Sequence, residues 1–339
     1  MRYRILIALL IFGITPLLAQ NELSKVATGM GQFLKLGAGA RGTALGDAYS
    51  AISTDVSALY WNPAGIQKTG HPAIAVARTA LFAGITYDFF GVVYPIDAQT
   101  TTGFSVLYLN SGDMELTTIE NPEGSGQTFD AASYAFGFSV ARRLTDRFDL
   151  GITVKIITER LWREKASALA FDVGSQFDTG IYGMKLGMSL TNFGGKMKLD
   201  GPDLNDNFMN KSTGAGYEGG VRYKTEEWPI PLIFRLGFAV DLLGAKSDLI
   251  RNEMNRLTLC LEGNDPVDHY LRYNMGLEYE WIEMFALRAG YKNNYDEADF
   301  TAGFGFDFNK IGLNARLDYA LNNYGILGYV HNYSLQFMF

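Results

Sequence analysis

The sequence is poor in the residues on which most catalytic and metal chemistry depends. It has one cysteine, Cys260, in 339 residues, which excludes a disulfide framework and any thiolate-bound metal cluster. Its three histidines, His71, His269 and His331, stand far apart, and no serine or cysteine motif accompanies them. His331 and Ser334, at odd spacing on one strand, would point to opposite faces. Charged residues make up 19% of the chain, below the usual share of about a quarter, and 14% are aromatic. That balance argues against disorder and coiled coil. A formal net charge of −7 leaves no basic footprint for a phosphate backbone, so no nucleic-acid partner is expected. After residue 20 no apolar run approaches the roughly 20 residues that a membrane helix needs. No enzyme activity, cofactor or metal is expected.

What remains is glycine, aromatics and alternation. Thirty-eight glycines, 23 phenylalanines and 19 tyrosines suit a large β protein, in water or in a membrane. Arg2 and Arg4 precede the apolar run Ile5 to Phe12, and Ala19 follows Pro16, so residues 1–19 read as a secretory signal peptide. From residue 72 onward apolar residues recur with period two. Phe300, Ala302, Phe304, Phe306 and Phe308 share one face, against Thr301, Gly303, Gly305 and Asp307. Leu271, Tyr273, Met275, Leu277, Tyr279 and Trp281 alternate with Arg272, Asn274, Gly276, Glu278 and Glu280. Such sets form strands. Their apolar faces are long and aromatic-ended and their opposite faces polar, the signature of an outer-membrane barrel with lipid outside.

About 14 strands are predicted, including one over residues 311–321. Short connectors are expected on the periplasmic side. The longer segments 111–128, 193–230, 244–254 and 322–329 are expected outside. Arg235, Arg272, Glu278, Arg288, Asp307, Arg316 and Asp318 should face the lumen as paired charges or as a filter. Cys260 should face inward as an inert small residue. Gly305, on the same inward side, should accept a small side chain. Trp162, Trp228 and Trp281 fall at strand ends or loops, where interfacial aromatics belong.

Residues 20–70 break the pattern: they are rich in Gly and Ala and suit a segment packed inside a barrel, because irregular backbone at membrane depth survives only within protein or lumen. Gly37 to Gly42 satisfy a dinucleotide fingerprint literally, but no βαβ unit surrounds them. Asp203, Asn205 and Asn207 start like a calcium loop, yet Phe208 replaces the required glycine. Asn62-Pro63-Ala64-Gly65 suits a tight turn, with a fixed φ at Pro63, a permissive Gly65, and an Asn62 side chain able to bond nearby backbone.

The tract Gly39-Ala-Arg-Gly-Thr-Ala-Leu-Gly-Asp-Ala-Tyr49, followed by Asp55-Val-Ser-Ala-Leu-Tyr-Trp-Asn-Pro-Ala-Gly65, resembles the N-terminal hatch of the PorV/PorQ family, which is similar to the FadL long-chain fatty-acid transporters. The resemblance implies an all-β fold: a transmembrane antiparallel β-barrel of about 14 strands in the bacterial outer membrane, with an N-terminal hatch inside the lumen. It divides the chain into a signal peptide (1–19), a hatch (20–70) and a barrel (71–339), with Asn62, Pro63, Ala64 and Gly65 as the hatch motif. Two functions follow from it as expectations. One is partner binding in type IX-like protein secretion, through extracellular loops that hold a secretion-system or cargo protein. The other is a FadL-like passive channel for hydrophobic small molecules. Outer-membrane lipid is the expected surrounding in both.

Overall fold

The computed structural model describes residues 28–208, 219–245 and 247–339; the expected signal peptide and the start of the expected hatch lie outside them. Fourteen strands form the barrel: β1 (Ala73–Ala80), β2 (Thr86–Pro95), β3 (Thr100–Asn110), β4 (Ala131–Thr145), β5 (Phe148–Leu161), β6 (Glu164–Asp178), β7 (Lys185–Gly194), β8 (Ile233–Gly244), β9 (Asn255–Pro266), β10 (Arg272–Trp281), β11 (Phe285–Asn293), β12 (Phe300–Asp307), β13 (Ala315–Asn323) and β14 (Tyr329–Met338). Every neighbour pair is antiparallel. The circuit closes where β1 meets β14, from Ala73↔Met338 to Ala80↔His331. Closure satisfies every strand edge, the condition for a sheet to stand in hydrocarbon.

Burial follows the two-residue period. On β10, Asn274, Gly276 and Glu278 are buried while Tyr273, Met275, Leu277 and Tyr279 are exposed. On β12, Thr301 and Gly305 are buried and Phe300, Ala302 and Phe304 face out. Exposed Phe, Leu, Tyr and Val on nearly every strand give the outer surface its apolar band. Trp162, Trp228 and Trp281 are exposed at turns and strand ends. Cys260 is buried on the inner face.

Two expectations about strands and connections fail. The thirteenth strand starts at Ala315, not at residue 311, because Asn309–Ile311 form a 3-10 turn that ends at Gly312 with a left-handed φ of 88°. The apolar residues Ile311 and Leu313 imitate a strand there. The second failure concerns segment 245–254. Strands alternate in direction, so the β7–β8 and β8–β9 connections leave opposite ends of the barrel. Segment 245–254 therefore shares its end with the short turns at 96–99, 146–147 and 179–184, and not with the long connections 111–130 and 195–232. Length alone misled; parity decides.

Residues 28–70 carry only short helical pieces: 3-10 turns at Gln32–Lys35 and Pro63–Lys68, and helices α1 (Ala40–Ala44) and α2 (Ala58–Trp61). Helices this short are unstable alone, so tertiary packing must hold them. Almost every residue from Phe33 to Gln67 is buried, and the segment touches the inner faces of strands all round the barrel.

Candidate functional site

The interface between this inner segment and the wall is dense in polar contacts, and glycine makes it possible. Facing pairs of wall glycines, Gly151↔Gly174, Gly187↔Gly237 and Gly276↔Gly290, lie opposite one another across β5–β6, β7–β8 and β10–β11. A Cβ on Gly174 would sit 2.1 Å from Asn62 Oδ1, one on Gly187 2.4 Å from the Ser50 carbonyl oxygen, and one on Gly290 2.1 Å from Gly46 N. These positions need hydrogen in place of a side chain because the inner backbone passes directly over them.

The Asn62 motif docks on this belt. Asn62 Nδ2 donates to the carbonyls of Ser50 at 3.0 Å and Ser175 at 2.9 Å. Its Oδ1 accepts from Ala64 N at 3.2 Å and caps the turn that Pro63 begins. Gln176 Nε2 donates to the same Ser50 carbonyl at 3.0 Å. Pro63 and Ala64 lie over Gly151. Gly65 differs from expectation in its reason: it has no left-handed φ. Instead, a Cβ there would meet the Ser53 carbonyl oxygen at 1.9 Å.

Charge fixes the opposite side. Arg41, on α1, grips Glu278 of β10 through Nε–Oε2 at 2.9 Å and Nη2–Oε1 at 2.7 Å. Glu278 also accepts from Arg288 Nε at 2.6 Å, Arg288 donates to Asp318 at 2.8 Å, and Arg316 pairs with Asp318 at 3.0 Å. Asp55 joins from the inner segment, accepting from Tyr49 Oη and Ser57 Oγ, both at 2.5 Å. Burial works against the Arg41 charge, yet the carboxylates of Glu278 and Asp55 hold its guanidinium proton more firmly than in an ordinary arginine. Bidentate, water-excluded pairs of this kind are strong and geometrically specific.

Four of the residues proposed for the lumen, Glu278, Arg288, Arg316 and Asp318, thus form one chain. Arg235 is buried elsewhere: it donates to Thr191 Oγ1 at 3.1 Å and lies 5.4 Å from the Tyr60 ring centre. Arg272 stacks its guanidinium 4.2 Å from the Tyr295 ring centre. Asp307 sits at the end of β12, where it accepts from Asn309 N at 3.0 Å. Gly305 is tighter than expected, since a Cβ would lie 2.3 Å from Asp318 Oδ1. His331 bonds Tyr319 Oη at 2.8 Å, whereas Ser334 Oγ accepts from Ala40 N.

Several partners escaped sequence reasoning. Arg41 was hidden in a small-residue tract, and its bulk beside glycines was the available signal. Asp47 pairs with Lys292 at 2.6 Å, Lys155 with Asp172 at 2.6 Å, and Glu262 accepts from the backbone N–H groups of Tyr49 and Ser50 at 3.1 and 2.8 Å. At the end of the long connections, Lys35 and Gln32 donate to Asp268 at 2.7 and 3.0 Å. Burial alone would raise the Asp268 carboxyl, but these donors hold it below the usual aspartate value. Gly37 and Gly42 pack on the buried Trp61 indole, which donates to the Ala38 carbonyl at 2.7 Å. Between Leu59, Tyr60, Phe89 and Leu107 lies a cavity of only about 10 Å³, room for about one water.

Comparison with known proteins agrees with this architecture. The CymD monoaromatic hydrocarbon channel superposes with a TM-score of 0.59 at 10% identity, covering 89% of this chain and 98% of that one. The toluene transporter TodX of Pseudomonas putida gives 0.54 at 14% identity, covering 88% and 96%. At such identities the likeness is one of fold alone. No curated protein sequence matches the chain. The model of the family described as type IX secretion system protein PorV matches residues 19–266. The chain therefore belongs to the PorV family and is a β-barrel of the bacterial outer membrane.

Proposed function

We propose that the protein is a partner-binding barrel of protein secretion, in which residues 28–70 act as a fixed hatch and the long connections present a docking surface. The observation that carries this reading is the inner interface itself. A small-molecule site is a mostly apolar concavity of some hundreds of Å³ with few polar groups. Here ion pairs from Arg41, Asp47 and Lys35 tie the inner segment to β10, β11 and the β9–β10 loop, and the cavity beside Leu59 and Tyr60 is about 10 Å³. An inner segment held in this way suits a scaffold better than a conduit. The connections at 111–130 and 195–232 carry short antiparallel strand pairs of their own, Met114–Glu115 with Thr128–Phe129 and Lys196–Lys198 with Glu227–Pro229.

Affinity purification from native outer membrane tests the proposal. A secretion-system or cargo protein should co-elute, and deletion of residues 196–229 should release it while the barrel still inserts. The second reading, a passive channel for hydrophobic small molecules, draws support from the architecture shared with the hydrocarbon channels CymD and TodX. It predicts that cells lacking the protein take up an apolar solute more slowly. It also requires the inner segment to move before a solute can pass.

A further inference from the structure

Two formal charges stand on the outer face of the barrel, where the alternation places lipid. Arg78 of β1 and Asp88 of β2 are cross-strand partners. Their fork is closed by Nε–Oδ1 at 2.7 Å and Nη2–Oδ2 at 2.8 Å. The arginine side chain is 65% exposed and the aspartate 25%. Lipid-facing charge is costly and depth-dependent, and an ionisable residue in such a place marks a site by default. The wall is indented at the same place. A cleft of about 440 Å³ runs over Val76, Phe90, Val106 and Leu335, with Arg78, Asp88, Tyr108 and Tyr333 also along it.

The register orders these side chains. One cross-strand row sets Tyr333, Arg78, Asp88 and Tyr108 side by side. Two residues along each strand, away from the long connections, the next row is Leu335, Val76, Phe90 and Val106. The first row lies two residues from the end of β1 and two from the start of β2, at the level where polar and hydrocarbon layers meet. The cleft is thus charged and aromatic toward the headgroups and wholly apolar below, the profile of an amphiphile.

We propose that this cleft binds one phosphate-bearing membrane lipid from the leaflet on the side of the long connections. Its phosphate meets Arg78 Nη1, the guanidinium nitrogen not engaged by Asp88, and one acyl chain lies along Val76, Phe90 and Leu335. Guanidinium is the side chain best matched to phosphate, and Asp88 neutralises it while the site is empty. A protein partner would need an interface of about 1,000 Å² or more, whereas the cleft has the girth of a chain.

The test uses the full-length protein, delipidated in detergent and titrated with phosphatidylglycerol under native mass spectrometry, with diacylglycerol as the phosphate-free comparison. Wild type should show one saturable phosphatidylglycerol adduct and no saturable diacylglycerol adduct. Arg78→Gln should weaken it about tenfold, the scale of one charge-assisted hydrogen bond, and Val76→Trp should abolish it by filling the cleft. Heat-shifted electrophoretic migration confirms that each variant is folded, and Val76→Trp decides the question if Arg78→Gln is not. Adducts unchanged in the folded variants, equal binding of diacylglycerol, or a dimer that phosphatidylglycerol leaves intact would each overturn the assignment.

Discussion

Glu278→Gln isolates the contribution of charge to holding the inner segment. In the wild type one carboxylate, 1% exposed, serves both Arg41 and Arg288, across contacts of 2.6 to 2.9 Å. The amide keeps shape and volume but leaves two buried guanidiniums facing each other, with Asp318 and Asp55 as the remaining counter-charges. Removing one partner of a buried pair costs about 3–5 kcal/mol. Arg41→Gln should cost less, because Glu278 keeps Arg288, and the double variant should show coupling of about 0.5–3 kcal/mol. Tryptophan supplies the assay. Of the four, Trp61 alone is buried in the inner segment, so replacing Trp162, Trp228 and Trp281 with Phe leaves a private reporter. Urea titration in lipid vesicles then reads Trp61 emission for release of the segment and electrophoretic mobility for the barrel. The Trp61 transition should move by the amounts above and the barrel transition far less. Equal shifts in both, or an unmoved Trp61 transition, would refute the reasoning.

Gly174→Val should weaken the same transition by about 1–3 kcal/mol through overpacking against Asn62 and Pro63, while Gly263→Ala, whose Cβ meets nothing within 4 Å, should leave it unmoved in the same titration. Acid should loosen the end near Lys35. The Asp268 carboxyl is held below its ordinary 3.8, so its stabilisation is complete above that value and is lost as pH falls through the lower, folded one. Asp268→Asn should remove this acid sensitivity of Trp61 emission. A protease site inserted after Lys224 should be cut in intact cells, whereas sites after Asp146 and Glu253 should both be protected; cleavage at the Glu253 site alone would contradict the parity of the strands.

The barrel was legible because lipid and lumen impose opposite demands on alternate residues, so Leu277 and Glu278 on β10 announce their faces. The start of β13 was not, since Ile311 and Leu313 alternate like a strand although they lie, exposed, in the turn before it. The end to which 245–254 belongs followed from strand parity, a global property that segment length does not carry. Inward charges such as Arg288 and Asp318 could be assigned to a face but not to partners. The pairing of Arg288 on β11 with Asp318 on β13 crosses the bare Gly305 of β12 between them, and the decisive Arg41 arrives from more than 200 residues away. Glycines on the inner face read as merely polar-compatible. Their role as a seat for Asn62, Ser50 and Gly46 exists only once the two backbones are stacked.

Conductance tests the central claim, that residues 28–70 fill the lumen and are held there. Single-channel recordings in planar bilayers should show little current for the full chain and stable, enlarged openings when residues 28–65 are deleted from a barrel shown to be folded. Glu278→Gln should give brief openings between those limits. Equal conductance of the full and deleted chains would contradict the account.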